Sequence, residues 1–389
     1  MEAFERIAAL VFLSSLTGVL LVFALYPCLV AILGLLCRSA RPKAPGSSPR
    51  VSLLVAVRNA ERLIDQKVQN ALELDFPGLE IVFISDGSTD STETRIRVAG
   101  RDRLKLIAAA EHLGKARALN RGFEESTGDI VVFSDADALV APDALGHMLS
   151  HFSDPLVGGV CGRRVIHETP GDLQEAQGRY IALDSALKEA ESRLGSITSN
   201  DGKLYAIRRE LFRPIDPGAT DDLFVCLNVV QQGFRFVYEP RARAFIPTPS
   251  RNPAHELARR RRIVSRSLHG IFLMKEVLNP LRYGGFSIQL LINKVFRRLL
   301  PVFLALLLAS SAALGLVRPA VGVFFLLQVL FYGLALSHPL LRRTSAGRAV
   351  RKATSVAYYF CVGNAGTLLG LADFLRGRKT VKWDPIKAD

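Results

Sequence analysis

The spacing of apolar positions changes character twice along the chain. Residues 7–37 carry no charged side chain. That run is longer than the roughly 20 residues a helix needs to cross a bilayer. It is also too long for a signal-peptide core and has no basic segment before it, so it reads as a retained anchor. From residue 51 the pattern becomes short apolar runs alternating with amphipathic stretches. Residues 51–57, 79–84, 104–108 and a run starting at Ile130 predict strands. Residues 61–74, 89–99 and 114–126 predict the helices between them. The run starting at Ile130 shows no alternation with polar residues, as expected for a strand buried on both faces. Strand and helix in regular alternation predict βαβ units and a parallel sheet. Right-handed crossovers then bring the strand ends to one edge.

Beyond that unit the pattern predicts helices over 142–152 and 173–194, a strand leading into a helix over 203–211, and a strand over 234–238. Thr220 is placed to cap a helix after the loop at 216–220. Residues 271–298 mix apolar positions with Arg282, Lys294, Arg297 and Arg298, as an element lying along a membrane surface would. Residues 299–317 and 320–341 predict two spans, and 353–375 a third that contains Asn364 and Asp373. The domain plan is therefore an N-terminal transmembrane anchor (1–40), a linker rich in proline and serine (41–50), an α/β domain (51–270), an interface segment (271–298), a transmembrane region of two to three spans (299–375) and a basic tail (376–389).

The formal charge of +14 on 389 residues is that of a basic protein. With long apolar runs beside it, that charge points to anionic lipid headgroups or anionic small substrates rather than nucleic acid. Arg38, Arg41, Lys43 and Arg50 place the α/β domain in the cytoplasm and the N-terminus outside. Arg342, Arg343, Arg348, Arg351 and Lys352 put the last loop inside. Three C-terminal spans would then leave the tail outside, against its own Arg376, Arg378, Lys379, Lys382 and Lys387. Cys28, Cys37, Cys161, Cys226 and Cys361 lie far apart with no Cys-x-x-Cys, which argues against a zinc site or disulfide framework. His147 and His151 stand four apart without the glutamate a zincin helix needs, and read as surface residues. Neither a dinucleotide-binding glycine pattern nor a P-loop is present.

The candidate chemistry begins at Asp135 and Asp137, two carboxylates one residue apart at the end of the Ile130 run. On a continuing strand they would point the same way. Paired carboxylates there can share a hard divalent cation or face a diphosphate through one, and open α/β sheets bind ligands at that edge.

Further segments complete a pattern: Ala56-Val57-Arg58-Asn59-Ala60-Glu61, Ser85-Asp86-Gly87-Ser88, Gly114-Lys115-Ala116-Arg117-Ala118-Leu119-Asn120, Thr220-Asp221-Asp222, and Arg259 to Arg262 followed by Ile263. With Asp135-Ala136-Asp137, in this order, they make residues 51–270 resemble the inverting, membrane-integrated family 2 glycosyltransferases. That family includes cellulose, hyaluronan, chitin and poly-N-acetylglucosamine synthases and ceramide glucosyltransferase. The resemblance implies a GT-A fold, Rossmann-like with a mostly parallel sheet, facing the cytoplasm of the plasma (inner) membrane and flanked by transmembrane helices. It implies a nucleotide-sugar donor, UDP-linked, an acceptor that is a membrane-associated lipid or glycan, and Mg²⁺ or Mn²⁺ as cofactor. By the same resemblance Asp222 is the catalytic base and Arg262 the catalytic arginine. Asp86, Lys115, Asp135, Asp221 and Arg259 bind the nucleotide sugar, and Asp137 with Asp135 holds the metal. The chain departs from the family at Ala60, where a glutamate is usual, at Asp221 in place of glutamate, and at Arg259 and Ile263, where glutamine and tryptophan are usual. A processive synthase-translocase and an inactive scaffold of the same fold are the alternatives.

Overall fold

The computed structural model describes residues 2–37, 49–166, 172–246, 252–341 and 347–378. Most of the linker at 41–50 lies outside the described residues. So do Arg38, Arg41, Lys43, Arg342, Arg343, Lys379, Lys382 and Lys387.

An eight-stranded sheet forms the centre: β1 (Val51–Val57), β2 (Glu80–Asp86), β3 (Lys105–Ala109), β4 (Ile130–Ser134), β5 (Leu139–Val140), β6 (Val157–Ile166), β7 (Leu204–Arg208) and β8 (Arg235–Ile246). Their spatial order is β3-β2-β1-β4-β7-β6-β8-β5. The first four pair in parallel, as the alternating pattern predicts. β7 then runs antiparallel between β4 and β6, β6 and β8 pair in parallel, and β5 closes the edge antiparallel. β6 was not legible in sequence, because Gly158, Gly159 and Gly162 interrupt any apolar period. The fold uses that smallness: a Cβ on Gly159 would stand 2.4 Å from the Phe236 ring.

Side chains along β1, β2 and β4 divide by the two-residue period of a strand. Leu54, Ala56, Val82, Ile84, Val131 and Phe133 enter one core. Leu53, Val55, Ile81, Phe83, Ile130 and Val132 enter the other. Both faces are thus covered, which is why these strands read as unbroken apolar runs.

The helices are α1 (Glu2–Leu20), α2 (Tyr26–Leu36), α3 (Ile64–Leu72), α4 (Thr92–Gly100), α5 (Lys115–Glu124), α6 (Ala144–Leu149), α7 (Asp172–Leu194), α8 (Asp221–Gln231), α9 (Pro253–Leu273), α10 (Pro280–Tyr283), α11 (Gly285–Leu290), α12 (Arg297–Gly315), α13 (Pro319–Leu341) and α14 (Arg348–Leu375). The π-helical stretch Leu21–Leu25 joins α1 to α2, and Leu291–Phe296 joins α11 to α12. Four helices among the described residues are long and apolar enough to cross a membrane: Glu2–Leu36, Gly285–Gly315, Pro319–Leu341 and Ala349–Leu375. The first C-terminal one begins at Gly285, inside the stretch that reads in sequence as an interface segment. Leu35, Leu36, Leu336 and Leu340 are exposed, as side chains meant for lipid would be. His151 is not a surface residue: its ring pairs with the buried Glu239 at 2.8 Å, while His147 pairs with Asp143.

Candidate active site

The site forms where β4 ends. The strand stops at Ser134, and Asp135 and Asp137 occupy the turn that follows. Their convergence therefore does not come from strand periodicity. Two lysines from other elements gather them. Lys115, at the start of α5, places Nζ 2.6 Å from Asp135 Oδ1 and 2.7 Å from Asp221 Oδ2. Lys203, just before β7, places Nζ 3.0 Å from Asp135 Oδ2 and 2.7 and 2.9 Å from the Asp137 oxygens. Lys67 lies beneath on α3, fully buried, donating to Ser134 Oγ at 2.8 Å and to the Ala138 carbonyl at 2.5 Å.

These placements set the charges. Burial alone would raise the Asp135 carboxyl. The Lys115 and Lys203 ammonium groups outweigh it and hold that carboxyl well below the usual range. Lys115 is likewise raised by Asp135 and Asp221 against its own burial. Among the described residues no carboxylate is in direct contact with Lys67, and burial pulls it down to about 7 although Asp135 and Asp137 oppose the shift.

Asp221 and Asp222 open α8, with Thr220 at the N-cap position. Thr220 has the extended backbone of a cap, but its side chain makes no capping bond. Asp222 instead accepts the Leu223 amide at 2.7 Å. Burial, then the neighbouring Asp221 charge, push Asp222 up to about 6, against Lys115 and that amide. Tyr205 stacks on Phe133 at 4.7 Å. Its fully buried hydroxyl has no hydrogen-bond partner among the described residues, and Asp221, Asp222 and Asp135 are the charges nearest in effect.

Asp86 ends β2 fully buried. One carboxylate oxygen accepts the Leu113 amide at 2.7 Å; the other accepts Gly114 at 2.9 Å and meets His112 Nδ1 at 2.8 Å. In this conformation its carboxylate shapes the loop that delivers Lys115. The opening motif does similar work. Arg58 donates to the Asp86 and Gly87 carbonyls, Asn59 Oδ1 accepts the Thr89 amide at 2.8 Å, and Glu61 accepts from Ser91 Oγ at 3.0 Å.

α9 brings the arginines. Asn252 caps it by accepting the His255 amide at 2.8 Å, and Pro253 starts its first turn. Arg266 binds the Ala219 carbonyl at 2.5 and 3.1 Å, tying α9 to the loop before Asp221. Arg262 has no hydrogen-bond or ion-pair partner among the described residues. Burial, Arg266 and Arg259 lower it, while Asp221 and Asp135 pull the other way, so it lies within electrostatic reach of the acidic cluster. Arg259 is tied to Glu256 of its own helix at 3.1 Å. The structure thus gathers Lys115, Asp135, Asp137, Asp221, Asp222 and Arg262, with Asp86 one loop away and Arg259 one turn back. Sequence reading missed Lys203 and Lys67. Lys67 carried a signal, since it shares the α3 stripe of Ile64, Val68 and Ala71; Lys203 carried none. An open depression of about 590 Å³, lined by Arg117, Asn120, Ile215, Phe224 and Leu273 among others, involves none of the cluster residues.

The oxygen donors suit a hard divalent cation, which takes one or two carboxylates and completes its shell with phosphate oxygens and water. Among the described residues no group of three or more His, Cys, Asp or Glu can hold a metal. Among the described residues the Asp135–Asp137 pair is the set such an ion could use, and within it Asp137 is the more exposed, 40% against 21%.

Residues 52–215 match the family described as Glycosyl transferase family 2. The poly-beta-1,6-N-acetyl-D-glucosamine synthase of Staphylococcus aureus (strain COL) is 28% identical over 208 residues, 51% of this chain and 50% of that protein. The synthase of the same name from Staphylococcus epidermidis is 27% identical over 206 residues, again 51% and 50%. The chain thus spans about half the length of the curated relatives it matches. Among solved structures, the mannosyltransferase PcManGT from Pyrobaculum calidifontis, in complex with GDP-Man and Mn²⁺, aligns over 96% of this chain and 99% of its own, with a TM-score of 0.68 and 25% identity. Motif order, sheet topology and these likenesses agree: residues 52–215 match a glycosyl transferase family 2 domain, the sheet around them has the GT-A fold, and four candidate membrane-spanning helices among the described residues flank it.

Proposed function

We propose that the protein transfers a sugar from a nucleoside-diphosphate sugar to a membrane-associated lipid or glycan acceptor in one inverting displacement, with Asp222 as the base. The observation that carries this reading is the Asp222 side chain, which accepts only the Leu223 amide among the described residues and whose carboxyl is raised to about 6, while the neighbouring carboxylates Asp135, Asp137 and Asp221 are ion-paired to lysines. A base serves best with a value near the working pH. The acceptor hydroxyl oxygen bonds to the anomeric carbon and its proton passes to Asp222. The bond from that carbon to the diphosphate oxygen breaks, and the electron pair leaves with the nucleoside diphosphate. Arg262, unpartnered among the described residues and within electrostatic reach of Asp135 and Asp221, is free to bind phosphate through its planar fork. Lys115 holds Asp135 and Asp221 in place, and Asp86 fixes the loop that carries Lys115. Arg259 assists at one remove, through the helix it shares with Arg262. Asp137 and Asp135 would hold Mg²⁺ or Mn²⁺. That ion, when bound, supplies charge neutralisation at the diphosphate. The Mn²⁺ and GDP-Man in the PcManGT structure support this donor class and a divalent metal. UDP-linked sugars follow from the wider family resemblance.

The charged segments beside the apolar runs support a catalytic domain on the cytoplasmic side of the inner membrane. The synthase relatives support polymer formation as a second reading; product length decides between one addition and many. The test is release of free nucleotide from a panel of UDP- and GDP-sugars by the full chain. Asp222→Asn is expected to lower turnover by about a thousandfold or more, and kcat/KM to fall about tenfold per unit as pH drops below about 6. Unchanged turnover in Asp222→Asn would overturn the assignment.

A further inference from the structure

Lys203 engages three of the four carboxylate oxygens of the acidic pair, and Lys115 takes the fourth. We infer that Lys203 is a tethered counter-ion occupying the position a divalent cation would take between Asp135 and Asp137. It must swing out before a metal binds, and so sets the metal affinity of the site. This rests on reading the pair as a metal site, as proposed above.

The main chain at Lys203 is held firmly. Its carbonyl accepts Ser134 Oγ at 3.1 Å, and its amide donates to Asp201 Oδ1 at 3.3 Å. The side chain is a flexible stem carrying a compact charge, about one-fifth exposed, so it has a route toward solvent. An ammonium 2.7–3.0 Å from these oxygens leaves no room for a cation bonded to the same atoms at about 2.0–2.6 Å. Two positive charges that close would repel strongly in a half-buried site. Lys67, buried beneath Ser134, adds positive charge from below but does not touch the pair. Lys115 bridges to Asp221 and stays where it is when Lys203 leaves. Lys203 therefore acts through Asp135 and Asp137 as a positioning residue. In the resting chain it keeps the carboxylates together and neutralised; on loading it yields them, Asp137 first, since both Asp137 oxygens depend on it alone among the described residues.

The test measures Mn²⁺ binding to the detergent-solubilised full chain, without nucleotide, from the EPR signal of free Mn²⁺. Lys203→Met is expected to tighten Mn²⁺ binding on the order of tenfold, the effect of one charge pair. Lys203→Arg, which keeps the charge, should stay within about twofold of wild type. Adding Asp137→Asn to either background should weaken binding again. Equal affinities for wild type and Lys203→Met, with Asp137→Asn still weakening both, overturn the inference but leave the metal site standing. Indifference to Asp137→Asn in both backgrounds overturns the metal-site reading and the inference with it. Melting temperatures identify a variant that fails to fold, in which case the Lys203→Arg comparison still decides: affinity rising tenfold despite the retained charge contradicts the counter-ion role.

Discussion

At the scale of single residues, the site sorts equal side chains by their contacts. Asp135 and Asp222 are both carboxyls of one cluster. Two ammonium groups hold the first ionised, while burial and a like charge raise the second. Lysines divide in the same way. Lys115 touches two carboxylates and is raised; Lys67 touches a hydroxyl and a carbonyl and falls from 10.5 to about 7. Between those two values the unfolded chain binds the proton that folded Lys67 has lost. This residue therefore makes stability rise with pH across that window, and below about 7 its penalty is fully present. Lys67→Met should flatten the rise, read as the change in melting temperature between about pH 7 and about pH 10 relative to wild type. The same slope in both proteins would rule this account out.

At the scale of elements, α9 transmits position to the site. One side is held by Arg266 on the Ala219 carbonyl. The other lies against α14, where Arg261 Nη2 binds Asp373 Oδ1 at 2.8 Å and glycines permit close approach. A Cβ on Gly370 would stand 2.5 Å from the Arg261 carbonyl, and one on Gly366 would stand 2.9 Å from that of Leu257. Gly370→Val should therefore lever α9 away from α14 and cost about 1–3 kcal/mol of stability. Because Arg262 rides on α9, the donor KM is expected to rise several-fold, measured by initial rates at saturating acceptor. A lower melting temperature with an unchanged KM would separate the helix contact from the position of Arg262. Asp373, which weakens the last span in a hydropathy reading, is here the partner of Arg261.

At the scale of the whole molecule, one buried carboxylate joins the membrane helices to the catalytic domain. Glu191 on α7 is fully buried. It accepts from Tyr26 at the end of the N-terminal π stretch, from the Thr198 amide at 2.8 Å, and from Asn293 Nδ2 in the second π stretch at 2.9 Å. The two π stretches face each other across this knot; such bulges tend to mark functional positions in helices. Glu191→Ala would remove the acceptor of the Tyr26 hydroxyl, the Thr198 amide and the Thr198 hydroxyl, while Asn293 Nδ2 would keep Thr198 Oγ1; each buried donor left unpaired costs roughly 1–3 kcal/mol. The expected result is a large drop in melting temperature in detergent, with Glu191→Gln intermediate. A wild-type melt for Glu191→Ala would show that the knot contributes little.

What the sequence alone determined is local. Unbroken apolar runs with helices between them required parallel strands covered on both faces, and uncharged stretches of bilayer length required spans, because both signals lie in adjacent residues. Motif order made Asp86, Lys115, Asp135, Asp137, Asp221, Asp222 and Arg262 candidates. Only the tertiary structure decided what each touches, since their partners come from far along the chain. β6, interrupted by glycines, has no period and exists through β7 and β8. Lys203 follows Asp201 and Gly202 with nothing to distinguish it, and becomes the counter-ion of the acidic pair because β7 lies beside β4. Asp86 reads as a nucleotide ligand, yet in the folded chain its carboxylate is engaged by His112, Leu113 and Gly114. Charge and hydropathy are properties of a residue and its neighbours in sequence; ion pairing and burial are properties of the contacts that folding makes.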